Sequence, residues 1–149
     1  MGPIRRIVVA TDFSDCSRAA VELARELAQS LHVPLDILHV WEITPLLAVG
    51  LEYSAGELVT AIEEAAEKQL EETVARVKAK WPETEGQLRS GIGWEEIVRG
   101  AKEKGADLLV LGTHGRAGLN HLLMGSVAEK VVRTSPIPVL TVPQPKAVR

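Results

Sequence analysis

Short apolar runs alternate along this chain with longer stretches whose apolar residues recur every three or four positions. Few folds satisfy that alternation. Ile4 to Ala10 reads as a buried strand rich in β-branched residues, stopping at Thr11-Asp12. Ser14 is placed to cap a helix from Asp15 to His32, with Ala19, Ala20, Leu23, Ala24, Leu27 and Leu31 on its apolar stripe. Pro34 opens a second run, Leu35 to Trp41, and a loop over 42–55 follows. Gly56 to Lys80 is a long amphipathic pattern with Leu58, Ile62, Ala65, Ala66, Leu70, Val74 and Val77 on one side. Glu63, Glu64, Glu67, Glu71 and Glu72 form a solvated face on the other. Thr84 to Gly91 is a weaker, more polar strand, which suits a sheet edge. A helix from Trp94 to Lys104 ends at Gly105, a natural C-terminal cap. Asp107 to Thr113 is the clearest central strand. A glycine-containing loop runs to Met124, Ser126 to Thr134 is helical, and Pro138 to Val142 is the last strand.

The order β-α-β-α-β-α-β-α-β with right-handed crossovers predicts an open five-stranded parallel sheet with helices on both faces. The 149 residues suit a single domain, 1–149, with its core over about 4–143. Only Phe13, Trp41, Tyr53, Trp81 and Trp94 are aromatic, so the core must be built from Val, Leu, Ile and Ala. That composition favours a helix-covered parallel sheet over an aromatic-rich sandwich.

Charge and cysteine content exclude several classes of function. The net charge of −3 gives no global basic field, and the basic residues form no stripe, so nucleic acid is not an expected partner. Cys16 alone cannot form an intrachain disulfide and fits a reducing compartment as a small core residue. The first apolar run is too short for a signal peptide, and no stretch approaches the roughly 20 residues needed to span a bilayer. A cytoplasmic protein without membrane contact is the expectation. His39, His114 and His121 are scattered, without cysteines or paired carboxylates, and do not make a metal site of their own.

Ligands of open α/β sheets bind beyond the carboxyl ends of the strands, where strand order reverses. Those ends carry Thr11-Asp12, Val40-Trp41 and Gly112-Thr113-His114-Gly115, and the first and fourth strands flank the switch point. Gly112 and Gly115 leave no Cβ between backbone and ligand. Gly125-Ser126-Val127 opens a helix whose unpaired N–H groups and positive dipole end suit an anion. The Ser126 hydroxyl either caps that helix or meets a phosphate. A glycine-rich turn followed by a serine-capped helix is an equally good reading of the spacing alone. No Walker A pattern occurs, and in Gly91-Ile92-Gly93 the third glycine of a dinucleotide motif is replaced by Glu96.

The pattern Gly112-x2-Gly115-x9-Gly125-Ser126 resembles the ATP-binding signature of the universal stress protein family. The first strand and loop, Ile7 to Ser14, the second strand end, Leu38-His39-Val40, and the closing Pro136 to Val142 are similar to the family in the same order. The resemblance spans about residues 4–143. It implies a Rossmann-like sheet of the adenine nucleotide alpha hydrolase type, with strand order 3-2-1-4-5. It also implies an ATP-binding regulatory module of the stress response. Ala10, Thr11 and Asp12 would sit beside adenine and ribose, and Val40 would meet the adenine edge through its main chain. Gly112 would lie at the ribose, Leu111 and Thr113 would belong to the same nucleotide-binding set, and His114, exposed on the loop, and Gly115 would line the phosphate path. Gly125, Ser126 and Val127 would hold phosphates, with Mg²⁺ or Mn²⁺ ligated mainly by phosphate oxygens. A homodimer through the closing strand, Val139-Leu140-Thr141-Val142, and an unidentified protein partner follow from the same resemblance. A slow ATPase or autophosphorylating enzyme and a nucleotide-free dimeric scaffold are the alternatives. The 42–55 loop is the candidate element that differs between ATP-bound and free states, so its hydrogen exchange should change on adding ATP and Mg²⁺. Gly115→Val places a branched side chain where backbone must approach phosphate. Calorimetric titration should show nucleotide affinity lost while the circular dichroism spectrum is kept; unchanged affinity would remove Gly115 from the site.

Overall fold

The computed structural model describes residues 2–42, 55–114 and 124–145. The elements, in order, are β1 (Ile7–Ala10), α1 (Asp15–Leu31), β2 (Leu35–Trp41), α2 (Ala55–Lys78), β3 (Thr84–Ser90), α3 (Gly93–Glu103), β4 (Leu108–Gly112), α4 (Ser126–Thr134) and β5 (Val139–Val142). The five strands form one parallel sheet in the order β3-β2-β1-β4-β5, as expected. The weak polar strand β3 is indeed an edge. The 42–55 loop, apart from Glu42 and Ala55, lies outside the described residues, as do Gly115 and the rest of 115–123.

Alternation along the strands divides the core into two layers. Ile7, Val9, Leu35, Ile37 and Val110 face α1 and α2. Val8, Ala10, Leu38, Leu109 and Leu111 face the other way, toward α3 and α4. Right-handed crossovers account for this split, because the chain moves one way across the sheet through α1 and α2 and back through α3 and α4.

Helix α1 begins where the sequence predicts. Ser14 is its N-cap and accepts a hydrogen bond from the Ser17 N–H, a contact worth about 1 kcal/mol. Its buried face is Cys16, Ala20, Val21, Ala24 and Ala28, small residues that let the helix axis come close to the sheet. Leu31, expected on the stripe, is 47% exposed. It is the final residue of the helix, next to His32 in a left-handed conformation, whereas Ala28 in the same turn is buried. In α2, Ala66, Leu70 and Val77 are buried as expected, and Thr73 joins them by donating its hydroxyl to the Gln69 carbonyl.

The amino ends of the strands hold a buried charge. Asp36, second residue of β2, has no exposed surface. An isolated carboxylate there would carry a large desolvation cost. Arg6 Nη1 hydrogen-bonds its Oδ2 at 2.6 Å. Lys104 Nζ lies 3.2 Å from Oδ1, at ion-pair distance but without hydrogen-bond geometry. The entry to β1, the start of β2 and the end of α3 are thereby tied together at the edge opposite the candidate site.

Candidate functional site

Strand lengths make the site. β1 pairs with β2 only as far as Ala10↔Leu38, and with β4 only as far as Val9↔Val110. Both neighbours run on past it, β2 to Trp41 and β4 to Gly112. The carboxyl edge of the sheet therefore has a notch above β1. α1 leaves toward one face and α4 toward the other, so the notch opens into a cleft of about 910 Å³, within the range of small-molecule sites.

The turn after β1 closes the floor of the notch. Thr11 is buried, its hydroxyl shared with Ser17 Oγ at 3.0 Å and accepting the Phe13 N–H at 3.0 Å. Asp12 Oδ1 accepts the Ser14 N–H at 3.0 Å. These bonds hold Phe13 at φ 65°, a left-handed conformation unusual for a bulky residue. Its ring then lies against His39, with centroids 4.4 Å apart, while His39 Nδ1 bonds the Thr11 carbonyl oxygen at 2.8 Å.

One wall is main chain. In a parallel ladder, alternate residues direct N–H and C=O to opposite sides. Leu35 N–H bonds β3 through the Glu83 carbonyl, whereas Leu38 C=O receives the Thr11 N–H. Even-numbered residues of β2 thus face β1. Val40 is the next even residue, and β1 has already turned away, so its N–H and C=O are directed over the notch. Together they present one donor and one acceptor.

The opposite wall is the start of α4. The Gly125 N–H donates to the Thr113 carbonyl at 2.6 Å, and the Thr113 N–H donates to the Val142 carbonyl at 2.9 Å. These bonds pin the helix start against the ends of β4 and β5. Gly125 is the N-cap, and among the described residues no side-chain cap bond is made at this terminus. Of the two readings of Ser126, the cap is therefore not the one made. The Gly125 N–H is committed, which leaves the amides that follow it for an anion.

Ala10, Thr11, Asp12, Val40, Leu111, Gly112, Thr113, His114, Gly125, Ser126 and Val127 all line this one cleft. Gly115 is outside the described residues. His114, expected exposed, is 8% exposed, with Nδ1 2.9 Å from Thr113 Oγ1. Gly112 has a structural reason beyond ligand approach: a Cβ there would lie 2.8 Å from Cys16 Sγ and 3.2 Å from the Cys16 backbone. Sequence reasoning missed Phe13, Glu42, Ile62, Gln69 and Gly93, which also line the cleft. Strand parity puts residues 40 and 42 on one face of β2, a signal that could have found Glu42. Gly93 drew notice only as part of an incomplete dinucleotide motif.

Among the described residues, no group of three or more His, Cys, Asp or Glu side chains is placed to hold a metal ion. No helix among them is long and apolar enough to cross a membrane.

The model of the Universal stress protein family matches residues 3–143. Universal stress protein MJ0531 of Methanocaldococcus jannaschii is 32% identical over 95% of this chain and 84% of its own. Among solved structures, hypothetical protein MJ0577 superposes with a TM-score of 0.81 at 27% identity, covering 97% of this chain and 99% of its own. A universal stress protein solved in complex with cAMP superposes with a TM-score of 0.64 at 29% identity, covering 97% and 100%.

Gly112→Ala should cost about 1–3 kcal/mol by overpacking against α1. Urea unfolding measures this, and adding Cys16→Ala should recover part of the loss by freeing the Sγ position. A Gly112→Ala protein as stable as the parent would show that the contact with α1 yields freely.

Proposed function

The chain belongs to the universal stress protein family, and we propose that it is an ATP-binding regulatory module whose bound nucleotide is read by a second copy or a partner protein. The observation that carries this reading is the cleft itself. A donor–acceptor edge at Val40 faces, across the notch, a helix start that no side chain among the described residues caps. The first matches the edge of adenine, which offers a ring-nitrogen acceptor beside an amino donor. The second suits phosphates, since free amides and the helix dipole favour an anion there. The relative solved in complex with cAMP supports an adenine nucleotide as the ligand.

In this reading Asp12 sits at the ribose, and Gly112 and Thr113 form the floor beneath it. Ser126 and Val127 supply amides and one hydroxyl to the phosphates. Mg²⁺ or Mn²⁺ enters with the triphosphate on phosphate oxygens and offsets its charge. A dimer through β5 is part of the proposal. β5 is an edge strand whose Val139 and Leu140 are only half-buried, and Val132 on the adjoining α4 is exposed. An apolar edge of this kind invites strand pairing.

Nucleotide retention provides the test. Denaturing the purified protein should release ATP, detected by chromatography, and sedimentation should give a dimer mass. Adding ATP with Mg²⁺ at about a hundredfold over Kd to stripped protein should stabilise it by about 2.7 kcal/mol, a rise in Tm of roughly 5–10 °C. No released nucleotide together with no thermal shift would overturn the reading in favour of a nucleotide-free scaffold. ATP turnover well above that of a Gly125→Ala variant would turn it toward an enzyme.

A further inference from the structure

Two helix N-termini open into the cleft, and they differ in charge. α3 begins beside α4: a Cβ on Gly93 would lie 4.0 Å from Val127 Cγ2. By geometry alone either terminus would attract a polyphosphate. The N-cap of α3 is Ile92, which offers no side-chain bond. Glu42, at the end of β2, supplies it instead. Its Oε1 accepts the Gly93 N–H, and its carboxylate lines the cleft. Glu95 and Glu96 add negative charge in the first turn of α3, whereas the first turn of α4 carries only Glu129. Glu96 is buried and paired with Arg89 and Arg99, which leaves Glu42 as the carboxylate at this terminus that lines the cleft, alongside Asp12 from the end of β1.

We propose that Glu42 sets the direction in which a nucleotide lies and selects a 6-aminopurine over a 6-oxopurine. The inference rests on the nucleotide reading above and deepens it. A carboxylate already on the α3 amide repels phosphates from that terminus and leaves α4 as the anion site. The base end then falls beside Glu42, two residues along β2 from the Val40 main-chain edge and on the same face of the strand. A carboxylate has acceptors only. It accepts from an exocyclic amino group and repels a carbonyl oxygen in the same place. Glu42 is a specificity-determining residue in this account, not a catalytic one.

The experiment compares ATP with inosine triphosphate, which differ at the 6-position edge of the base, on the parent protein and on Glu42→Gln. The glutamine keeps an oxygen for the Gly93 N–H, loses the charge, and gains a donor for a carbonyl. The parent should bind ATP about tenfold or more tightly than inosine triphosphate, as sites built around a hydrogen-bonding group discriminate. In Glu42→Gln that ratio should fall by about fivefold or more, with inosine triphosphate binding improved and Tm within a few degrees of the parent. A ratio that does not change overturns base selection by Glu42. An equal loss of affinity for both nucleotides also overturns it, because Glu42 would then only prop the start of α3. If the parent binds neither nucleotide, this proposal and the nucleotide reading fall together, an outcome distinct from an unchanged ratio.

Discussion

β1 is four residues long, wholly buried, and flanked by parallel partners on both sides. Its early end is the constraint on which the site depends. Because all strands point the same way, every carboxyl end lies on one edge. A short strand in the middle of that edge leaves longer neighbours standing on either side. The opening comes without any packing defect, since the residues beneath it remain buried. Crossovers that depart to opposite faces then keep helices from covering it. A β1 extended by two residues would pair with Val40 and remove the main-chain edge. The turn at Thr11, Asp12 and Phe13 prevents that extension through the Thr11 hydroxyl and the left-handed Phe13.

Charge is distributed along the strand direction. At the amino edge, Asp36 is met by Arg6 and Lys104, so a buried anion is neutralised by protein cations. At the carboxyl edge the local positive field comes from backbone amides and helix dipoles. An acidic chain, with a net charge of −3, can therefore still present an anion site, because dipoles over a few ångströms outweigh a diffuse, screened net charge. The Arg89, Glu96, Glu103 and Arg99 cluster stays on the flank. There, hydrogen bonding from Arg89 holds the Glu103 carboxyl below the usual range despite some desolvation.

Much of this architecture is legible in the sequence, for local reasons. Ser14 before an alanine-rich stripe, Gly105 after a charged last turn and the polar residues of β3 are signals carried within a few positions. Leu31 shows where such signals stop, because whether a stripe residue at the end of a helix is covered is decided by tertiary neighbours that the periodicity does not contain. His114 shows the same, since a histidine in a glycine-containing segment looks like loop surface, whereas here it is buried beside Thr113. The pairings that shape the cleft span long separations. Gly112 is set by Cys16, and Gly93 by Glu42, 51 residues away. Periodicity cannot report such contacts. The family pattern located the glycines and left their packing role unseen.

The Val40 edge carries an evolutionary consequence. Its donor and acceptor belong to the peptide backbone, so any residue that keeps the strand extended preserves them. Substitution at that position can alter the cavity wall without erasing the hydrogen-bonding pattern. Mutational drift is therefore cheap at position 40 and costly at Gly112, where one added carbon meets a helix. Under the nucleotide reading proposed above, descendants of such a chain can retune which molecule fits while keeping the means of holding it, and the record of that retuning would lie in side chains such as the one at position 42.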